Sequence, residues 1–287
     1  MKKLLITGAT GLVGSHLIKE LCLLDYDLFA VSQHPDKLPK NVKPINIDFT
    51  KDWSTDSLPK NINYIIHLAQ SESFRNFPEK AEDIFMVNTV STLKLADYAK
   101  KNGAEKFIYS SSGGIYGTGD HNHSEDKDIA FQPSLGFYLT SKYCSEILLN
   151  NYKELFNVVC LRLFFVYGKG QKRTMLMPRL FDSVKNNIPI TLQGQDGISL
   201  RPTHVSDVVA AIVKTLDFVG SDTINIAGPE ILSIKDIALT AGQFLKRDPL
   251  FLNKLEMSDN ILCDISKMEK VLCPPKIKFL QGVQDLA

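Results

Sequence analysis

The chain has 287 residues, a formal net charge of +1, and hydrophobic and charged fractions of 44% and 23%. That balance gives nucleic acid or an anionic membrane surface no broad field to follow, and no stretch approaches the roughly 18 apolar residues needed to span a bilayer. The five scattered cysteines (Cys22, Cys144, Cys160, Cys263, Cys273) include no Cys-x-x-Cys pair, which suits reduced thiols in a cytoplasmic protein and offers neither a disulfide framework nor a zinc site.

Residues 3–7 form a short apolar run that predicts a buried strand. Residues 12–24 then carry Val13, Leu17, Ile18, Leu21 and Leu24 at helical spacing. The opening Met1-Lys2-Lys3-Leu4-Leu5-Ile6 imitates a secretion signal, but glycines break the run at once and no cleavage-like site follows. Residues 27–32, 43–47 and 62–68 predict further buried strands, separated by polar or proline-containing stretches. A long helical pattern covers 78–101, with Gly103 as its stop. Residues 105–110 predict a strand, 135–152 a helix and 158–163 a sixth strand. Such alternation means a parallel sheet covered by helices on both faces. Beyond Phe165 the alternation loosens: 175–187 reads as helix, 189–192 as extended, 206–217 as helix and 223–226 as extended. A last helix is expected over 233–245, with Ser233 as its N-cap. No internal repeat interrupts the pattern.

Between the first strand and the first helix stands Thr7-Gly8-Ala9-Thr10-Gly11-Leu12-Val13-Gly14, with glycines spaced Gly-x-x-Gly-x-x-Gly. Positions without side chains let the backbone turn sharply and approach a pyrophosphate, whose charge meets free amides and the positive end of a helix. Gly14 would let that helix pack close to the sheet. The second strand ends Val31-Ser32-Gln33-His34, with neither an acid for a ribose hydroxyl nor an arginine for a 2′-phosphate, so NAD and NADP both stay open. Asp48 reads either as a partner for an adenine amino group or as a loop acid capping the turn before Lys51.

Tyr138 and Lys142 stand four apart at the start of a predicted helix, so phenol and ammonium project from one face. A lysine charge there stabilises phenolate and lowers the tyrosine pKa from about 10. A phenol so tuned removes a hydroxyl proton while hydride leaves the same carbon, or returns it in reduction. Upstream lies Tyr109-Ser110-Ser111-Ser112-Gly113-Gly114-Ile115-Tyr116-Gly117. Serines at the carboxyl end of a parallel strand point into the crevice where α/β proteins bind ligands.

These elements resemble the extended short-chain dehydrogenases/reductases, the NAD-dependent epimerase/dehydratase family that includes nucleotide-sugar epimerases. The resemblance runs over nearly the whole length: the Gly8/Gly11/Gly14 turn, His67-Leu68-Ala69, Asn88, Ser110 to Gly117, Tyr138/Lys142, Arg162, Val166-Tyr167-Gly168, His204-Val205-Ser206-Asp207 and Asp264-Ile265-Ser266-Lys267. It implies a Rossmann-type doubly wound parallel sheet with a smaller C-terminal substrate-binding part. Residues 1–165 would form the dinucleotide-binding domain with 203–227 returning to it, and 166–202 with 228–287 the substrate part. It implies Ser112 in the catalytic serine place, Tyr138 as general acid/base and Lys142 also holding the nicotinamide ribose. The dinucleotide, with a lean to NAD over NADP, is expected against Gly8, Thr10, Gly11, Leu12, Val13, Gly14, Ser32, Asp48, Phe49, Leu68, Ala69, Gln70, Asn88, Ser110, Ser111, Tyr138, Lys142, Phe165 and Val166. The substrate is expected to be a nucleotide sugar meeting Ser112, Gly113, Arg173 and Arg201, with Arg179 as a further candidate. Family members are often homodimers packing two long helices from each copy, and a homodimer without nucleic-acid or membrane partners is expected here. No metal site is expected.

The departures narrow the chemistry. Sugar-nucleotide 4,6-dehydratases place an Asp-Glu pair directly after the catalytic hydroxyl residue, related decarboxylases a glutamate, and the epimerase-reductases of fucose nucleotides a cysteine. This chain has Gly113 and Gly114 there. What remains is hydride and proton transfer at one carbon, namely 4-epimerisation or reduction of a 4-keto sugar. After Arg162 the family commonly shows Phe-Asn, its asparagine on the nucleotide diphosphate, whereas this chain has Phe164-Phe165. Arg201 also stands one residue closer to His204-Val205 than the usual phosphate-binding arginine. Phe165 opens a second reading, reduction of a non-nucleotide carbonyl compound. A non-catalytic dinucleotide-sensing module is a third, with the Ser112, Tyr138 and Lys142 set against it. His16, His67 and His204 read as packing or hydrogen-bonding residues, and His121 and His123 as candidate substrate contacts.

Overall fold

The computed structural model describes residues 1–129, 135–255 and 260–287. The chain forms two compact units, one of Met1–Ile115, Ala130–Arg162 and Ile212–Ile224, the other of Tyr116–Ile129, Leu163–Ala211 and Asn225–Ala287.

The first unit is built on a seven-stranded parallel sheet of β1 (Lys2–Thr7), β2 (Tyr26–Val31), β3 (Lys43–Ile45), β4 (Tyr64–His67), β5 (Lys106–Ser112), β6 (Asn157–Leu163) and β7 (Asp222–Ile226). The strands lie side by side in the order β7-β6-β5-β4-β1-β2-β3. The chain reverses direction across the sheet between β1 and β4, which is where an open α/β sheet leaves a crevice at its carboxyl ends. Leu4, Leu5 and Ile6 of β1 are all fully buried. Helices cover both faces of such a sheet, so its strands read as continuous apolar runs instead of alternating ones.

The helices of this unit are α1 (Leu12–Leu21), α2 (Ala81–Phe85), α3 (Ser91–Lys101) and α4 (Gly136–Asn150). The long pattern expected from residue 78 begins at Ala81 and carries a π-turn, Met86–Val90, between α2 and α3. That extra residue in the turn carries Val87, Asn88 and Thr89 into the interior. Insertions of this kind often accompany functional positions. Lys106, at the foot of β5, is buried, and its Nζ donates to the carbonyls of Thr215, Leu216 and Phe218 at 2.6, 2.8 and 2.6 Å. A lysine thus satisfies the orphan carbonyls at the end of the helix that precedes β7.

The second unit contains α5 (Leu176–Lys185), most of α6 (Val205–Thr215), α7 (Ile234–Leu245), α8 (Ser266–Val271) and α9 (Phe279–Gly282). Its ladders are short: Asn122–His123 with Leu262–Cys263, Val166–Tyr167 with Thr203–His204, and Ile190–Gln193 with Phe251–Lys254, all parallel, and Ser199–Leu200 antiparallel to Leu232–Ser233. Tyr167, Phe181, Leu192, Leu200 and Ile237 sit in its core. Ser233 caps α7 as expected, in a reciprocal box with Asp236. Strands of two residues and the brief α8 and α9 show too little period to be read from sequence.

Candidate active site

The glycine turn closes on itself. Gly11 N–H donates to the Gly8 carbonyl at 3.0 Å. Gly8 adopts φ +69°, and a Cβ there would lie 2.7 Å from the Ala69 nitrogen, so its lack of a side chain lets the turn press on the end of β4. A Cβ at Gly14 would strike the Gly8 carbonyl oxygen and sit 2.7 Å from the Ala9 Cα. Gly11 is different. It is exposed, and a Cβ there would meet only the Gly8 oxygen, at 3.3 Å. Gly11 is the N-cap of α1 with no side-chain capping bond and no acid in the first turn. The half-buried Leu12 and Val13 therefore open a helix end whose amides and dipole favour an anion. Thr10 Oγ1 lies 3.2 Å from Ser32 Oγ, which accepts from His34 N–H at 2.9 Å. Asp48 accepts from the Thr50 amide and hydroxyl at 2.9 and 2.7 Å. Burial pushes its carboxyl up, but the Thr50 bonds outweigh this and hold it below the ordinary range. Next to it Phe49 is buried against Trp53 and edge-on to His67.

His67 joins the strand ends to the helices. Thr7 Oγ1 accepts from Ala69 N–H at 3.2 Å and lies 2.6 Å from His67 Nδ1, while His67 Nε2 lies 3.0 Å from Thr92 Oγ1, which donates to the Asn88 carbonyl. Each hydroxyl has one proton to give. The chain of bonds therefore runs one way: the Thr7 hydroxyl donates to Nδ1, and Nε2–H donates to Thr92. Burial, with Lys142 second, lowers the His67 pKa to about 3, so the ring stays neutral and packs as expected. Asn88 is fully buried; its Oδ1 accepts from Ser71 N–H and its Nδ2 donates to Ser141 Oγ, both at 2.9 Å. Its amide is thus committed within the protein.

Ser110, Ser111 and Ser112 end β5. Ser110 Oγ donates to the His67 carbonyl at 3.2 Å, and its own carbonyl accepts from Lys142 Nζ at 2.9 Å. Ser111 is buried, with no partner for its hydroxyl among the described residues. Ser112 Oγ accepts from Gly114 N–H at 3.2 Å. Lys142 is fully buried, its Nζ 5.1 Å from the centre of the Tyr109 ring. Burial lowers its pKa to about 7, with Glu146 opposing. Glu146 in turn pairs with Arg162 at 2.7 Å, both buried. The half-buried Tyr138 donates its hydroxyl to Gln70 Oε1 at 2.9 Å, beside the half-buried Leu68 and Ala69. Burial raises its pKa above the ordinary range. This corrects the lowering expected from Lys142, whose ammonium is directed to the Ser110 carbonyl and is itself weakened by burial. A Cβ at Gly114 would lie 3.0 and 3.1 Å from the methyls of Leu139. Gly113 begins the helical turn that follows β5.

In the second unit Phe165 adopts φ +38°, and its carbonyl accepts from Thr203 N–H at 3.1 Å. Val166 opens the ladder that follows. Arg201 donates through Nε to the Cys263 carbonyl at 3.1 Å and through one terminal nitrogen to those of Gly228 and Pro229 at 3.2 and 3.3 Å. Arg173 is forked onto Asp182 and also donates to the Leu286 carbonyl at 2.6 Å, which leaves it poorly placed to bind substrate. His123 is buried, stacked on Tyr116, with Nδ1 2.9 Å from Lys127 Nζ; His121 is exposed. His204 Nδ1 accepts from Ser206 N–H and its Nε2 faces Asp285 at 3.0 Å, a helix-capping role. Among the described residues no helix is long and apolar enough to cross a membrane, and no three His, Cys, Asp or Glu side chains gather as metal ligands.

Relatives share this frame. The dTDP-4-dehydro-6-deoxyglucose reductase of Escherichia coli is 27% identical, covering 98% of this chain and 95% of its own length. The UDP-glucose epimerase YtcB of Bacillus subtilis, itself uncharacterized, is 28% identical over 94% and 92%. The solved structure of MoeE5 in complex with UDP-glucuronic acid and NAD superposes with a TM-score of 0.85 at 27% identity, covering 99% of this chain and 97% of that one. Residues 4–227 match the sequence profile of a single family. That span begins in β1 and reaches past β7, so it takes in the glycine turn, the serine strand and the Tyr138 helix together. The chain belongs to the NAD dependent epimerase/dehydratase family and is an enzyme of the extended short-chain dehydrogenase type.

Proposed function

We propose that the chain is a 4-epimerase or 4-ketoreductase of a nucleotide-activated sugar, working with NAD and with Tyr138 as the acid/base. The observation that carries this reading is the junction of β4, β5 and α4. Lys142 fastens the helix of Tyr138 to the strand that ends in Ser112, while Tyr138 reaches the end of β4 through Gln70. A dinucleotide fits the first unit, because the bare face of Gly11 and the uncapped start of α1 leave a cradle that a side chain would fill. A bound nicotinamide supplies the hydride acceptor or donor. Within that arrangement Ser112 Oγ holds the reacting oxygen, and Tyr138 takes the hydroxyl proton in oxidation or returns it in reduction. Asn88 acts through Ser71 and Ser141, not by direct contact with the dinucleotide. Arg201, in the second unit, is assigned to the nucleotide's diphosphate.

A Cβ at Gly114 would lie 3.0 and 3.1 Å from the Leu139 methyls, at one of the two places where the resemblance puts the acid and base of a dehydratase. Elimination of water requires acid/base groups on a second carbon, and this turn, with Gly113 and Gly114, supplies none. The test is to incubate the protein and NAD with UDP-glucose and UDP-glucuronate, and separately with NADH and a 4-keto nucleotide sugar. An epimer or a reduced sugar is expected, and a product lighter by one water would overturn the assignment. Tyr138→Phe should lower kcat about 10²-fold or more with NAD affinity kept.

A second reading, reduction of a carbonyl compound without a nucleotide, is favoured only by Phe165 in place of the family's asparagine. Exposed Phe85 on α2, Leu93 on α3 and Ile147 on α4 support a homodimer packed through these helices, which sedimentation would detect.

A further inference from the structure

The bond from the Tyr138 hydroxyl to Oε1 of the exposed Gln70, 2.9 Å long, has Asn88 bonded beside each partner. On the strand side, Asn88 Oδ1 accepts from the amide of Ser71, the residue after Gln70, while Ala69, the residue before it, donates its amide to Thr7 Oγ1. Gln70 therefore sits between two pinned amides. On the helix side, Asn88 Nδ2 donates to Ser141 Oγ, and that hydroxyl donates to the Tyr138 carbonyl at 2.7 Å. One buried side chain thus bonds the backbone next to Gln70 and, through Ser141, the backbone of Tyr138.

We propose that Gln70 is a positioning residue for Tyr138, whose side-chain amide follows the phenol's proton. Oε1 accepts the O–H while the phenol is neutral; after a half-turn of the amide, Nε2–H donates to the phenolate. A primary amide carries acceptor and donor on one rigid plane. Lysine offers only donors and carboxylate only acceptors, so glutamine or asparagine can serve both forms of an acid/base. The ionisable groups around the phenol do not replace it. Lys142 on the same helix is bonded to the Ser110 carbonyl. Tyr109 on β5 is buried, and burial holds its own phenol well above the ordinary range. Arg75 lies over the Phe74 ring, 5.0 Å from its centre, and Phe74 rather than Arg75 packs against Tyr138. The inference rests on Tyr138 as the acid/base, since only a residue that changes protonation needs a partner of both kinds.

The test is to place 3-fluorotyrosine at position 138 and follow its titration by fluorine NMR in the full chain with NAD present and no sugar. Gln70→Glu, which can only accept, should raise the midpoint by about one pH unit or more. Gln70→Leu removes the donor to the phenolate, the stronger charge-assisted bond, and should raise it by less. Midpoints unmoved in both variants, with melting temperatures unchanged, would overturn the proposal. The two readings fail separately: undiminished turnover in Tyr138→Phe removes the acid/base assignment whatever the titration shows, whereas an unmoved midpoint with Tyr138→Phe inactive removes only the role of Gln70.

Discussion

The glycine turn after β1 and the stretch from Phe164 to Arg201 are both expected to meet phosphate, yet they are built in opposite ways. In the turn, the anion is to be held by backbone amides, so what matters is the absence of side chains at Gly8, Gly11 and Gly14, all within seven residues of one another. In the second stretch, binding depends on a cation whose position is fixed by carbonyls far off in sequence, those of Cys263, Gly228 and Pro229. The first kind of site is written locally and the second is not. A shift of one residue in Arg201, or a Phe165 in place of asparagine, would therefore act on recognition without a mark on the local fold, if this stretch does meet the diphosphate.

The glycines of the turn do different work. Gly14→Ala drives a Cβ into the Gly8 carbonyl and should destabilise the fold by about 3 kcal/mol or more, seen as a lower melting temperature. Gly11→Val meets only one oxygen at 3.3 Å, so the protein should fold while NAD affinity falls by roughly 10²-fold or more, about 2.7 kcal/mol. Calorimetric titration of NAD into folded Gly11→Val that gives the parental affinity would mean the turn does not cradle the pyrophosphate.

What could be read in advance follows the same division. The buried strands of the sheet announced themselves as apolar runs, and α1 and α4 by period and by the glycine and tyrosine–lysine spacings. Helix ends were less legible: α1 stops at Leu21, not at residue 24, and the long helix begins at Ala81. The π-turn left no trace, because one extra residue in a helix changes no composition, yet it carries Asn88 inward to join Ser71 and Ser141. The tyrosine–lysine spacing located both groups but not their electrostatics. Burial decides those, raising the Tyr138 phenol and lowering the Lys142 ammonium to about 7, and burial is set by the whole unit. Gln70 as partner of the phenol had no sequence signal beyond its place after His67-Leu68-Ala69.

At Arg201 the expected effect is smaller. Arg201→Lys keeps the charge but loses the planar fork that reaches three carbonyls. If Arg201 binds the diphosphate, KM for UDP-glucose or UDP-glucuronate should rise about tenfold with little change in kcat. A lower melting temperature with KM unchanged would make Arg201 a strut between Cys263 and Gly228, and the diphosphate would need another cation.

The smallest expected effect is at Phe165. Its φ of +38° is a left-handed conformation that costs a bulky residue about 1–2 kcal/mol, while asparagine enters that region more readily. The Phe165 ring is partly buried against the two hydrophobic clusters of the second unit, and removing it forfeits a similar amount of apolar burial. Phe165→Asn should therefore relieve strain about as much as it loses packing, moving the melting temperature by about 2 °C or less. Phe165→Ala loses the same ring and keeps most of the strain, so it should melt clearly lower than the asparagine variant. If the two variants melt together, the positive φ carries no strain. Phe165 would then be a packing residue, and its replacement of the family's asparagine would say nothing about the substrate. If they separate, the chain retains a strained aromatic where the resemblance implies an asparagine. In that case KM for UDP-glucose in Phe165→Asn decides whether the strain serves recognition, with a lower KM expected if the diphosphate regains a donor.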